Sequence, residues 1–211
     1  MKDLILTPEE LLFLGRLMKG KYLDYSYYTR IKDCQGNGKQ LEWTCSKSLG
    51  DKNILHEQLN GTLSLDYETQ ALLRPVYFGT AMSSLQIFRN HPERSVGQVN
   101  FHWAEDCCTV VFVREKDCRI MPISQQQLSA LVAGLMPSDY NKRNPKGNEN
   151  LNGENVQRLL VFCRGKVGEH MSRLTIMDGD GWLYKKNTDG SYEVLTPHAF
   201  CDQAMLMLKG M

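Results

Sequence analysis

Residues 84–136 read SLQIFRNHPERSVGQVNFHWAEDCCTVVFVREKDCRIMPISQQQLSALVAGLM. Within this stretch Val99, Phe101 and Trp103 alternate with Gln98, Asn100 and His102. That period of two belongs to a strand with one buried and one wet face. An acidic turn at Glu105 and Asp106 leads into Thr109-Val110-Val111-Phe112-Val113, a continuous β-branched and aromatic run suited to a strand covered on both faces. The charged turn Arg114-Glu115-Lys116-Asp117 returns the chain into Cys118-Arg119-Ile120-Met121. Pro122 has no N–H to give to a ladder and ends the strand. Ser124 with Gln127 makes a capping box, and Leu128, Leu131, Val132 and Leu135 follow at helical spacing.

The same order, strands then a proline stop then a helix, recurs from Ser172 to Met211. Leu174 and Ile176 lead to Asp178-Gly179-Asp180-Gly181, then Trp182 and Tyr184, Asp189-Gly190, and Tyr192 and Val194. Asp-Gly steps between alternating runs are hairpin signals. Thr196 and Pro197 stand at an N-cap and a first helical position, and Phe200, Ala204, Met207 and Leu208 make one stripe. The echo suggests internal duplication. The expected fold is α+β, antiparallel meanders with helices in two pseudo-twofold related halves. It is read as one domain over 1–211, with a first half at about 1–137, an exposed connector at about 138–152 and a second half at about 153–211.

Upstream, Thr7, Pro8 and Glu10 open a helix that carries Leu11, Leu14 and Met18 and closes at Gly20. The tyrosine-rich Lys21–Tyr28 reads as a strand followed by a loop. Asp51–Leu59 reads as a helix with Ile54, Leu55 and Leu59, ended by Asn60-Gly61. A further helix over Asp66–Leu73 should stop ahead of Arg74-Pro75, since a residue before proline is pushed out of helical geometry. Val156, Leu159, Leu160 and Cys163 read as a helix stripe closed by Gly165.

A hydrophobic content of 42% and a charged content of 23% are ordinary for a globular chain, and a net charge of +1 gives no electrostatic reason to expect nucleic acid or an anionic membrane. No run approaches a membrane span, and the N-terminus lacks a secretory pattern, so a cytoplasmic protein is expected. Seven scattered cysteines fit reduced thiols rather than a disulfide framework. Cys118, Cys163 and Cys201 fall in regular elements and read as small core residues.

Motifs for chemistry are missing from the sequence: no phosphate cradle, no His-Glu-x-x-His, no Cys-x-x-Cys and no Gly-x-Ser-x-Gly elbow. Asp178–Gly181 resembles the start of a calcium loop, yet Trp182 takes a ligand position and no bidentate Glu follows, so a hairpin is the better reading. No metal or cofactor is expected. A nucleophile pair of Cys107 with His102 stays open as an alternative. The last helix is apolar around most of its circumference, through Met205, Leu206, Met207 and Leu208, which reads either as a core helix or as a pliable docking face.

The order of several motifs resembles the EspG-type chaperones of type VII (ESX) secretion. They are Leu6-Thr7-Pro8-Glu9-Glu10-Leu11, Leu72-Leu73-Arg74-Pro75, Arg119-Ile120-Met121-Pro122-Ile123, Leu135-Met136-Pro137, Leu174 to Gly181, and Gly190-Ser191-Tyr192-Glu193-Val194-Leu195-Thr196-Pro197. Together they span nearly the whole chain, whereas Tyr25–Gly50 has no counterpart. The resemblance implies a cytosolic, non-enzymatic chaperone that binds helical secretion substrates and keeps them export-competent. For a distant Gram-positive member it points to LXG toxin export domains or WXG100-like helpers as clients, analogous to PE and PPE proteins. It implies partner contacts at the hairpin tip Arg89, Asn90, His91, Pro92, Glu93 and Arg94. It also implies them on a helical surface sought on Phe200, Met205, Met207 and Leu208 and on the Leu128–Leu135 helix. A toxin-neutralising immunity protein and a cysteine-dependent enzyme using Cys107 or Cys108 are the competing expectations.

Overall fold

The computed structural model describes residues 3–21, 23–31, 38–89, 95–105, 107–140, 156–166, 169–179 and 181–209. Nine strands form one antiparallel sheet in the order β1 (Leu4–Leu6), β7 (Cys118–Pro122), β6 (Cys107–Val113), β5 (Ser95–Ala104), β4 (Ala81–Arg89), β8 (Val156–Lys166), β9 (Ser172–Gly179), β10 (Trp182–Lys186) and β11 (Tyr192–Leu195), and β2 (Leu55–Glu57) pairs with β3 (Leu63–Leu65) apart from it. The chain divides into two compact units, residues 1–80 with 102–122 and residues 81–101 with 123–211. The α+β architecture of antiparallel strands and helices is as expected.

In the first unit, β1 (Leu4–Leu6) pairs antiparallel with β7 (Cys118–Pro122), placing Leu4 opposite Ile120 and Leu6 opposite Cys118. All four are buried while Ile5 points to solvent. Helix α1 (Pro8–Leu17) starts as the sequence dictates, with Thr7 Oγ1 accepting from Glu10 N at 3.2 Å and Glu10 Oε2 accepting from Thr7 N at 2.8 Å. Its end differs by one residue: Lys19 takes the left-handed conformation at φ 55°, and Gly20 N donates to Gly15 O. A Cβ on Gly20 would lie 2.9 Å from Cβ of Tyr77, so the glycine serves packing rather than the turn.

Three expectations for residues 21–78 are corrected. Residues Tyr25–Tyr28 form a short helix, α2, because Asp24 caps it by accepting from Ser26 N at 2.9 Å. Helix α3 runs over Gly38–Asp51, where only Cys45 and Leu49 are buried, so its apolar stripe was too thin to read. Beyond it Ile54 and Leu55 are buried but Leu59 is fully exposed, and the chain makes the hairpin β2 (Leu55–Glu57) and β3 (Leu63–Leu65) around Gly61 at φ 77°. Helix α4 (Tyr67–Phe78) passes through Pro75 instead of stopping before it. An interior proline costs about 3 kcal/mol, and burying Val76 and Tyr77 beyond it returns about 1.5–3 kcal/mol for each side chain. Continuation wins.

Strand β6 (Cys107–Val113) lies beside β7, and Val111 and Ile120 face each other fully buried against α1 and α4 side chains. The strand β5 (Ser95–Ala104) departs from a one-faced pattern. Val99 and Phe101 are buried as expected, but Asn100 and His102 are buried too.

In the second unit, β4 (Ala81–Arg89) pairs along its whole length with β8 (Val156–Lys166). β8 was expected as a helix. Its run Leu159-Leu160-Val161-Phe162 satisfies both periods, and burial of Leu160, Val161 and Phe162 on opposite faces fits a central strand. β9 (Ser172–Gly179), β10 (Trp182–Lys186) and β11 (Tyr192–Leu195) follow as consecutive hairpins, the first turning through Gly181 at φ 78°. Helix α5 (Gln125–Ala133) has the Ser124–Gln127 capping box, and α6 (Pro197–Leu208) is capped by Thr196. Of the connector expected over 138–152, only Ser138, Asp139 and Tyr140 are described. Tyr140 Oη donates to Leu195 O at 2.8 Å.

Candidate functional site

The residues singled out for partner contact fall into three places in the second unit, and on the Leu128–Leu135 stretch Leu128, Val132 and Leu135 are buried. Arg89 ends β4 with an exposed side chain, while Asn90, His91, Pro92, Glu93 and Arg94 lie outside the described residues. On α6, Phe200 and Leu208 are fully buried with Ala204, one turn apart each, and hold the helix in place. Met205 and Met207 are half-buried, and Leu206 is 62% exposed. Arg164 Nη1 donates to Leu206 O at 2.7 Å and Ser83 Oγ to Leu208 O at 2.9 Å, satisfying carbonyls that a helix C-terminus leaves open. Ser129 Oγ of α5 lies 4.0 Å from Met205 Sδ. The exposed side of α6 thus carries His198, Asp202 and Leu206, with the half-buried Met205 and Met207 beside Leu206.

A charged row that the sequence reading missed crosses the sheet at Arg89. Arg89 is opposite Arg158 on β8, and Arg158 is opposite Asp178 on β9. Cross-strand partners share a face. Arg158 is in phase with the buried Leu160 and Phe162, and Asp178 with the buried Leu174 and Ile176. Charges in phase with a core face were the signal that could have found the pair. Arg158 Nε and Nη2 each reach Asp178 Oδ2 at 2.6 Å, and Nη2 also donates to Leu135 O at 2.7 Å. Asp178 is 3% exposed, and its Oδ1 has no partner among the described residues. Burial pushes its carboxyl above the usual range, against the opposing pull of Arg158.

Residues 136–139 border a cavity of about 400 Å³ over this row, lined also by Arg89, Gln157, Arg158 and Asp178. Two contacts fix that border. The Tyr140 ring packs on Trp182 with centroids 5.2 Å apart, and Asp139 lies so close to Gly181 that a Cβ there would be 2.7 Å from Asp139 O. Glycine is required at 181 by both its φ and this approach.

The first unit holds an open cleft of about 810 Å³ with Lys21, Tyr67, Arg74, Glu105 and Cys107 on its walls. Cys107 is exposed, and His102 is fully buried with Nε2 2.7 Å from Tyr27 Oη. Burial lowers the His102 pKa to about 4, only partly offset by Asp24, so its ring is neutral. No described contact joins His102 to Cys107. Burial raises the thiols of Cys45 and Cys118 to about 11 and that of Cys108 still further. Such thiols are poor nucleophiles. Cys118 is fully buried, Cys163 and Cys201 half-buried. Asp178, the first position of the calcium-like stretch, is held by Arg158 beside a hairpin turn. Among the described residues no helix is long and apolar enough to cross a membrane.

No protein-family model matches the sequence, and no curated protein matches it. Solved structures do match in shape. Among them is the type VII secretion system chaperone EspG5 of Mycobacterium tuberculosis, determined in complex with a PE25–PPE41 dimer. The match has a TM-score of 0.63 over 99% of this chain and 97% of that one, at 8% sequence identity. The chain thus has the EspG-like fold that the order of its sequence motifs implied.

Proposed function

We propose that this protein is a non-enzymatic type VII secretion chaperone that binds a helical secreted client before export and keeps it export-competent. The supporting observation is the likeness to EspG5 along 99% of the chain. EspG5 was solved holding a PE25–PPE41 dimer, and by analogy the client here is a PE/PPE-like or WXG100-like protein or the export domain of an LXG toxin. Binding takes place in the cytoplasm. The contact surface is the segment 89–94 between β4 and β5 together with Met205, Leu206 and Met207 of α6. Methionines suit such a face because their flexible thioethers repack against different partners. The repeated order of strands, proline stop and helix is read as internal duplication into two halves.

Capture of the tagged protein from its native host, with mass spectrometry of what co-elutes, tests the reading. A stoichiometric helical secreted protein is expected. A client that stays equally soluble and equally exported in cells lacking this protein would overturn the role. Recovery of a toxin's catalytic domain alone would replace it with neutralisation.

A further inference from the structure

We propose that the cavity beside Arg89 is a recognition pocket for one basic side chain, lysine or arginine, projecting from a partner protein. That the partner is the helical client rests on the chaperone reading. The pocket's own chemistry does not. Two of its acceptors are open: Asp178 Oδ1 is buried without a partner and the Asp139 carboxylate makes no described hydrogen bond, whereas the donors Arg89 and Gln157 that also line the cavity are exposed to water. The donors nearest them are already committed, since Arg158 Nε and Nη2 are held by Asp178 Oδ2 and Leu135 O. A buried acceptor left open costs free energy until a donor arrives, and a cationic donor makes the stronger bond.

The shape supports the same occupant. A cavity of about 400 Å³ has room for a lysine or arginine side chain together with its solvating water. Its acidic wall is preorganised, because Tyr140 is tied to Leu195 O and Trp182 while Gly181 allows Asp139 to sit close. Arg89 lies exposed at the rim, where water screens its charge, whereas Asp178 is inside. Two carboxylates lining one cavity fit a guanidinium fork or an ammonium with several donors to place.

The probes are N-acetyl-arginine methylamide and N-acetyl-lysine methylamide, titrated into the full chain and read by NMR at the Trp182 indole. The neutral isostere N-acetyl-citrulline methylamide and the anionic N-acetyl-glutamate methylamide are the controls. Saturable millimolar binding of a basic amide is expected, weakened about tenfold by loss of charge in the citrulline analogue or by Asp139→Asn. Asp139→Lys, which supplies its own ammonium, should abolish it. The Asp139 side chain makes no described hydrogen bond but lies against Gly181, so where a variant lowers the thermal midpoint the citrulline and glutamate amides on the wild-type chain decide the proposal. Absence of a saturable shift with either basic amide, as when water alone fills the site, overturns the proposal. Equal binding of the citrulline or glutamate amide does so too. In the host, client capture lost in Asp139→Lys supports the client as occupant, and capture unchanged removes it while the chaperone role stands. No client on the wild-type chain would instead overturn the chaperone role, whatever the amides do.

Discussion

Glu10 is 2% exposed, and its carboxylate accepts four hydrogen bonds, one from Thr7 N, one from Ser48 Oγ and two from Lys52 Nζ. The capping half of that role is local and visible in the motif, whereas the tie to α3 is not. Glu10→Ala should cost about 2–3 kcal/mol in urea unfolding, less than for a fully buried ion pair because Lys52 is 36% exposed. Glu10→Gln, which keeps the reach to Thr7 N, should lose less, and equal losses would refute the capping share. His102 predicts a pH dependence. Its folded pKa near 4 lies below the unfolded value near 6.5, so as pH falls from 6.5 to 4 the unfolded chain takes up a proton that the folded one refuses. Stability should therefore drop across that window by up to about 3 kcal/mol, and His102→Gln should flatten this share. An unchanged slope in the variant, measured as the difference in unfolding free energy between pH 7 and 4.5, would contradict the burial of a neutral ring.

Elements whose instructions are local were legible, and those that depend on distant partners were not. Helices α1, α5 and α6 begin at Thr7, Ser124 and Thr196 because each side chain accepts from an N–H three residues on. Strands β9 to β11 follow from alternation and Asp-Gly turns. β8 was misread because its apolar run fits two periods and its partner β4 lies far back in the chain. β1 is three residues long, too short for a pattern, yet its inward leucines are fully committed. Leu6→Ala should cost about 2–5 kcal/mol while Ile5→Thr stays within about 0.5 kcal/mol. Similar losses for the two, read from urea midpoints, would mean that β1 is held by its ladder and not by its side chains. On α6, Leu206→Asp should leave the thermal midpoint unchanged and reduce client capture about tenfold or more. Retained capture would move the docking surface off this helix.

For the molecule as a whole, the order of the motifs was the readable signal, since each motif alone is short and the fold is shared with EspG5 at 8% identity. The pocket was beyond reach because Asp139, Arg158 and Asp178 come from three separate segments. The cysteines offer a global check on burial. Pulse labelling with a thiol reagent should modify Cys107 at once and spare Cys45, Cys108 and Cys118 until unfolding, as peptide mapping would show. Fast labelling of the three buried thiols would contradict the packing of β6, β7 and α3. The pairing of β1 with β7 also sets a timetable. Leu4 and Leu6 leave the ribosome before their partners, and Ile120 and Cys118 follow only after more than a hundred further residues. At usual synthesis rates that wait is on the order of ten seconds, during which the α1 leucines have no sheet to cover them. For that interval the nascent chain carries apolar surface that its own sheet has yet to cover.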